Sequence, residues 1–197
     1  MLIVGLNGSP NSDGNTNLLL NKALAGAEDK GAETKLISVA ESLSELATPY
    51  CTACSHPCSG DCYQDTVLAE QYQLLAEADG LLVGSPVYFG TVSAQLKSFW
   101  DMTRSLRQEQ SLLNTVGGAL AIGASRFGGQ ETTLKAIHDM MLVQGMIVVG
   151  DGDSESDSGH QGAAGKIMAA DDNEAQERAE IIGRRVAKLA KITSELR

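Results

Sequence analysis

The sequence predicts an α/β protein: a five-stranded parallel sheet of order 2-1-3-4-5 in a three-layer sandwich, with helices on both faces. Two observations carry this. Short apolar, β-branched runs alternate with segments of helical spacing along the chain, and the runs are apolar at successive residues, as strands covered on two sides are. Alternation of this kind implies right-handed crossovers between parallel strands, with helices packed above and below.

The elements follow in order. The first strand is Leu2 to Leu6, followed by a glycine-rich turn and a helix from Asn17 to Lys30. The second strand is Thr34 to Val39. A long connection, residues 40 to 66, precedes a helix from Val67 to Ala78. The third strand, Gly80 to Gly84, leads to a helix from Ser93 to Leu106, and the fourth, Val116 to Ile122, to a helix from Glu131 to Gln144. Met146 to Val149 is the fifth strand. A second long connection, residues 151 to 172, precedes a last helix from Asn173 to Leu196. Sheets of this order bind ligands outside the carboxyl ends of their strands, where the chain reverses direction beside strand 1. Function is therefore expected after strands 1, 3 and 4. Both long connections exceed what the fold requires, which marks them as functional or disordered.

A chain of 197 residues, 43% of them hydrophobic, supports one domain over residues 1–197. It carries a cysteine-bearing insertion at about 47–66 and a long loop at about 151–172. The formal net charge of -10 leaves nothing to offset phosphate repulsion, so neither nucleic acid nor an anionic membrane is an expected partner. The opening MLIVGLNGSP lacks a basic n-region, and no apolar stretch approaches the roughly 20 residues that span a bilayer. A cytoplasmic location, where thiols stay reduced, is expected.

The first strand ends in GLNGSPNSDGNT, residues 5 to 16, and a helix begins at about Thr16 or Asn17. Backbone N–H groups and hydroxyls at a helix N-terminus make a ready site for phosphate. The loop lacks the lysine of a nucleoside-triphosphate loop and does not match the dinucleotide fingerprint, so it suits a terminal monophosphate held by neutral donors. An ordinary capped turn is the alternative.

After the third strand, GSPVYFGTVSAQLKSFWDMT places Pro86, Val87, Tyr88, Phe89 and Gly90 before a helix capped by Thr91 or Ser93. Two adjacent aromatics here can wall a conjugated ring, or cap the core or a subunit interface. After the fourth strand comes SRFGGQETT, where Ser125, Arg126, Phe127 and Gly128 can reach over a ligand held between the other two loops. Phosphate donors, aromatic walls and flexible backbone at one edge fit flavin mononucleotide (FMN).

Together, GSPNSDGNT, GSPVYFGTVSAQLKSFWD and GGQETTLKAIHDMMLVQGMIVVG resemble the flavodoxin-like NAD(P)H-dependent FMN reductase family, and within it most closely the iron-sulfur flavoproteins. The resemblance runs from the N-terminus to about Gly150. It implies a flavodoxin-like fold and noncovalent FMN, with the phosphate near Ser9, Asn15 and Thr16 and with Pro10 and Asn11 as further cofactor-binding residues. It also implies ring and ribityl contacts at Pro86 to Gly90 and around Ser125 to Gly128. The cofactor carries the chemistry in such proteins, so no amino-acid nucleophile or general base is expected.

All four cysteines lie in CTACSHPCSGDC, at Cys51, Cys54, Cys58 and Cys62, spaced C-x2-C-x3-C-x3-C. Thiolates this close in a cytosolic chain read as metal ligands rather than disulfides. Iron-sulfur flavoproteins carry a similar compact motif, which holds a four-iron four-sulfur cluster passing electrons to FMN. Their usual pattern begins C-x2-C-x2-C, whereas here the third cysteine follows one residue later, behind Pro57. A four-thiolate zinc site, His56 replacing one thiolate, or free thiols remain open.

The resemblance thus implies an oxidoreductase moving electrons between a reduced donor and a quinone, an oxygen species or ferredoxin, through a cluster next to FMN. Homodimers or homotetramers are implied as well. An NAD(P)H-dependent FMN or quinone reductase without a cluster, and a zinc-stabilised flavin-binding module without turnover, are the alternatives. His138, in an apolar helical stretch, reads as a packed or interface residue, and Trp100, Met140 and Met141 as core or subunit contacts. Asp151, Asp153, Glu155 and Asp157 are spaced like calcium ligands but lack the closing glutamate, so a solvated, mobile loop that includes His160 is the expectation.

Overall fold

The computed structural model describes residues 1–196. Along the chain run β1 (Leu2–Asn7), α1 (Asn15–Glu28), β2 (Glu33–Ser38), α2 (Val39–Leu43), α3 (Val67–Glu77), β3 (Gly80–Pro86), α4 (Ala94–Asp101), α5 (Arg104–Gln108), β4 (Val116–Gly123), α6 (Gln130–Val143), β5 (Ile147–Val149), β6 (Ala163–Lys166) and α7 (Asn173–Thr193). The sheet is parallel, in the order β2-β1-β3-β4-β5. Its strands are buried because alternate side chains feed two cores. Val4 and Leu6 of β1 and Leu81 and Val83 of β3 enter a core shared with α3, α4 and α6. Ile3 and Leu82 enter a second core against α1 and α7. Each fully buried leucine in these layers contributes about 1.5 to 3 kcal/mol.

Three expectations are corrected. The sheet has a sixth strand: β5 pairs only with Val116 to Gly118, and β6 continues the same edge along Leu120 to Gly123. The chain leaves the edge after β5 and returns to it, because β4 is longer than the segment that pairs with it. The helix expected over Ser93 to Leu106 divides at Met102 and Thr103 into α4 and α5. There the Thr103 hydroxyl donates to the Trp100 carbonyl at 2.7 Å, while Gln144 Nε2 donates to Thr103 Oγ1 at 2.6 Å.

The connection 151 to 172 is not a solvated loop. It holds β6 and a short 3-10 turn, and its acidic half lies against α7. Arg178 donates to Asp151, which is 2% exposed, at 2.6 Å and to Asp157 at 3.0 Å. Lys188 pairs with Glu155 at 2.9 Å, and Arg185 donates to the Gly152 carbonyl at 2.8 Å. The acids that looked like calcium ligands are thus partners for a basic face of α7. Trp100 and Met141 lie in the core as expected, with Trp100 Nε1 donating to the Met140 carbonyl at 3.2 Å. His138 is half-buried on α6, and burial lowers its pKa. Among the described residues no helix is long and apolar enough to cross a membrane.

Candidate functional site

The carboxyl ends of β1, β3 and β4 bring the three expected loops together. Asn7, the buried last residue of β1, organises the first: its Oδ1 accepts from the Ser9 N–H at 3.1 Å, and Ser9 Oγ accepts from the Asn11 N–H at 3.1 Å. Gly8 N–H donates to the Gly84 carbonyl at 2.8 Å. A Cβ at Gly8 would stand 2.8 Å from both Gly84 O and Leu96 Cβ, so the close approach of loop and β3 requires glycine. The Ser93 hydroxyl donates to the Gly8 carbonyl from the start of α4.

α1 begins at Asn15, slightly earlier than expected, with Gly14 at the N-cap. No side chain caps it, and its first turn carries no acid. Its leading N–H groups are therefore left for an anion, with the helix dipole behind them. Ser9 and Thr16 are buried, and Pro10 and Asn11 exposed. Asn15 commits its side-chain oxygen to the Ala169 N–H at 2.8 Å, which brings the segment after β6 across the loop.

The second loop leaves β3 at Pro86, and the Val87 N–H donates to the Ile122 carbonyl at 2.8 Å. Tyr88 and Thr91 exchange backbone hydrogen bonds of 3.0 and 3.1 Å, closing a tight turn over Phe89 and Gly90. Phe89 sits at φ 50°, a left-handed conformation that aromatic residues rarely adopt, and its ring is fully exposed. Ser93, rather than Thr91, caps α4, accepting from the Leu96 N–H at 3.1 Å.

In the third loop Gln130 does what the sequence did not signal. Buried, it accepts from the Gly128 N–H at 2.8 Å and donates to the Ser125 carbonyl at 2.7 Å and the Gly165 carbonyl at 3.1 Å. It shapes Ser125 to Gly128 into one turn, from which Arg126 and Phe127 project, Phe127 as exposed as Phe89. A cavity of about 760 Å³ opens beside Arg126 and Phe127, reaching Lys166 on β6 and Arg178 on α7.

The cysteine loop has no regular helix or strand and is clamped by α5, while the Ser98 hydroxyl of α4 donates to the Pro49 carbonyl ahead of it. From α5, Gln108 Oε1 accepts from the Cys58 N–H at 2.8 Å, Ser105 Oγ meets the Tyr63 hydroxyl at 2.5 Å, and Arg104 reaches Cys51 Sγ at 3.9 Å and the Ser55 carbonyl at 3.3 Å. Tyr63 anchors the loop's exit, packing edge-on against Tyr72 at 5.1 Å between ring centroids. Cys51 packs against the core, Cys58 is half-buried, and Cys54 and Cys62 are exposed. The Cys62 thiol is pushed above its ordinary value by desolvation and then by the charges of Cys54 and Cys58. Among the described residues no three side chains converge on a single ion.

A cavity of about 610 Å³ joins Cys58 and Arg104 to Gln144 and Gly145, which precede β5 at the amino ends of the strands. Arg104, Ser105, Gln108, Gln130 and Asn7 were all missed; only Asn7, an asparagine directly before a Gly-Ser-Pro turn, carried a local turn signal.

The family model described as NADPH-dependent FMN reductase matches residues 1–161. An iron-sulfur flavoprotein from Methanocaldococcus jannaschii is 43% identical over 197 residues, covering 98% of each chain. An iron-sulfur flavoprotein from Methanosarcina thermophila is 41% identical over 153 residues, 77% of this chain and 78% of that one. Among solved structures, a WrbA-like flavodoxin from Agrobacterium tumefaciens superposes with a TM-score of 0.67 at 20% identity, covering 97% of both chains, which shows the fold.

Proposed function

The chain belongs to the NADPH-dependent FMN reductase family, in its iron-sulfur flavoprotein branch, and we propose that it transfers electrons through FMN and a four-iron four-sulfur cluster. Family membership makes it an FMN-dependent oxidoreductase. The observation that carries the flavin site is the pairing, at one sheet edge, of an α1 N-terminus without a side-chain cap and the exposed rings of Tyr88, Phe89 and Phe127. Neutral donors fit a monophosphate, and outward-facing aromatics fit a planar ring that would cover them.

In this reading Ser9, Asn15 and Thr16 hold the phosphate, with Pro10 and Asn11 shaping the loop around it. Pro86, Val87, Tyr88, Phe89 and Gly90 line one side of the ring and ribityl chain, and Ser125, Arg126, Phe127 and Gly128 the other. Bound FMN supplies hydride and single-electron chemistry, and a cluster supplies single-electron transfer. The protein's share is orientation and water exclusion: Asn7 and Gly8 fix the phosphate loop, Gln130 fixes the loop after β4, and Thr132, whose hydroxyl donates to the Gly90 carbonyl, ties it to the loop after β3.

Cys51, Cys54, Cys58 and Cys62 are the cluster ligands. Their donor set fits in kind: four cysteine sulfurs within one twelve-residue loop are the donors that iron-sulfur clusters take. A homodimer or homotetramer, in which cluster and flavin exchange electrons across an interface, suits this reading. Donor and acceptor are redox partners of the NAD(P)H, quinone or ferredoxin kind, and the location is cytoplasmic.

Desalting the purified protein and assaying the retained yellow cofactor tests the flavin site. Retained FMN released by acid supports it; no flavin, with none taken up from added FMN, contradicts it.

A further inference from the structure

Of the two N–H donors the structure gives to Cys51 Sγ, one is the Ala53 backbone at 3.4 Å and the other the Arg104 guanidinium at 3.9 Å. A guanidinium keeps its charge at any physiological pH. In a chain of net charge -10 it places a fixed cation on one thiol of the four. The same group donates to the Ser55 carbonyl at 3.3 Å, so it spans the first half of the cysteine loop. The loop's mechanical support does not depend on it alone: Gln108 holds Cys58 at 2.8 Å, and Ser105 holds Tyr63 at 2.5 Å.

We propose that Arg104 is a positioning residue for the cluster, whose charge and hydrogen bond at Cys51 make the cluster easier to reduce. This rests on the four-cysteine cluster proposed above. Reduction adds one electron, and hence one negative charge, without making or breaking a bond. A fixed cation at a ligand sulfur stabilises that added charge, and hydrogen bonds to sulfur and local net charge are what set cluster potentials. Gln108, which bonds a backbone N–H and carries no charge, holds the loop without this effect.

The test is a mediated redox titration of the anaerobically purified holoprotein, with dithionite as reductant and the reduced cluster followed by electron paramagnetic resonance. Arg104→Gln is expected to have a more negative midpoint potential than the wild type, Arg104→Lys to return toward the wild-type value, and Gln108→Ala to leave the potential in place while chelators strip its iron faster. An unchanged potential in cluster-containing Arg104→Gln overturns the proposal. If Arg104→Gln loses its iron, Arg104→His decides: its potential should fall relative to the wild type as pH rises through the imidazole range, and parallel behaviour of the two overturns the proposal. Wild-type protein lacking iron and sulfide overturns the cluster reading and this inference together, and differs visibly from the cluster-containing outcomes.

Discussion

Thr132 Oγ1, in the first turn of α6, donates to the Gly90 carbonyl at 2.7 Å and so ties the loop after β3 to the loop after β4. One hydroxyl fixes the distance between the two proposed walls of the flavin ring. Replacing it by Thr132→Val keeps the β-branched shape and deletes a bond of net value about 0.5 to 1.5 kcal/mol. FMN affinity should weaken by roughly two- to tenfold, since each 1.4 kcal/mol is tenfold. Flavin fluorescence titration of the apoprotein measures it, and unchanged affinity would remove the loop tie from the account.

The exposed aromatics predict a separation of binding from stability. Tyr88→Ala with Phe89→Ala removes exposed side chains and leaves the left-handed backbone at position 89 with a Cβ as before, so thermal stability should change little. Flavin retention on desalting should fall sharply. Retention equal to the wild type would sink the ring-wall assignment.

Gln130 makes a contrasting case because it is buried with three hydrogen bonds. Gln130→Leu strands the Gly128 N–H and the Ser125 and Gly165 carbonyls, each at about 1 to 3 kcal/mol if left unsatisfied. Both stability and flavin affinity should drop, read by denaturant titration and by flavin titration on the same variant.

These residues show what the sequence could reveal. Strand positions were legible because consecutive buried residues such as Leu81, Leu82 and Val83 leave an apolar run, and the ligand edge followed from the alternation of strands and helices. β6 was hidden because Ala163 to Lys166 is short and built of small residues, and it pairs only because β4 outruns β5. The α5 clamp was invisible for another reason. Gln108 and Cys58 lie 50 residues apart, and nothing local in either segment announces a hydrogen bond between them. The acidic stretch misled because its charges are neutralised by Arg178, Arg184 and Lys188, spaced along a helix well downstream.

That latch has a pH dependence of defined sign. Asp157 and Glu155 are held below their ordinary values of 3.8 and 4.5, by Arg178 and Lys188 respectively. Depressed in the folded state, they bind protons less readily there than in the unfolded chain, so their stabilisation is present above the ordinary carboxylate range and is lost as pH falls through the folded values. Hydrogen-exchange protection of residues 151–160, taken relative to the intrinsic rate at each pH, should fall in that acidic window before the sheet itself opens. Arg178→Ala should produce the same loosening at neutral pH and cost about 3 to 5 kcal/mol, because it leaves the buried Asp151 carboxylate unpaired. Exchange rates in this segment unaffected by Arg178→Ala would contradict the latch.

The central claim is that one chain holds FMN at its sheet edge and an iron-sulfur cluster on Cys51, Cys54, Cys58 and Cys62. Its most direct test is an absorption spectrum of protein purified without oxygen, with flavin, iron, acid-labile sulfide and zinc assayed on the same sample, for the wild type and Cys58→Ser. The account predicts flavin bands over a broad iron-sulfur shoulder in the wild type. In Cys58→Ser, iron and sulfide should fall and flavin remain. Flavin bands with no iron, or zinc without sulfide, would contradict it.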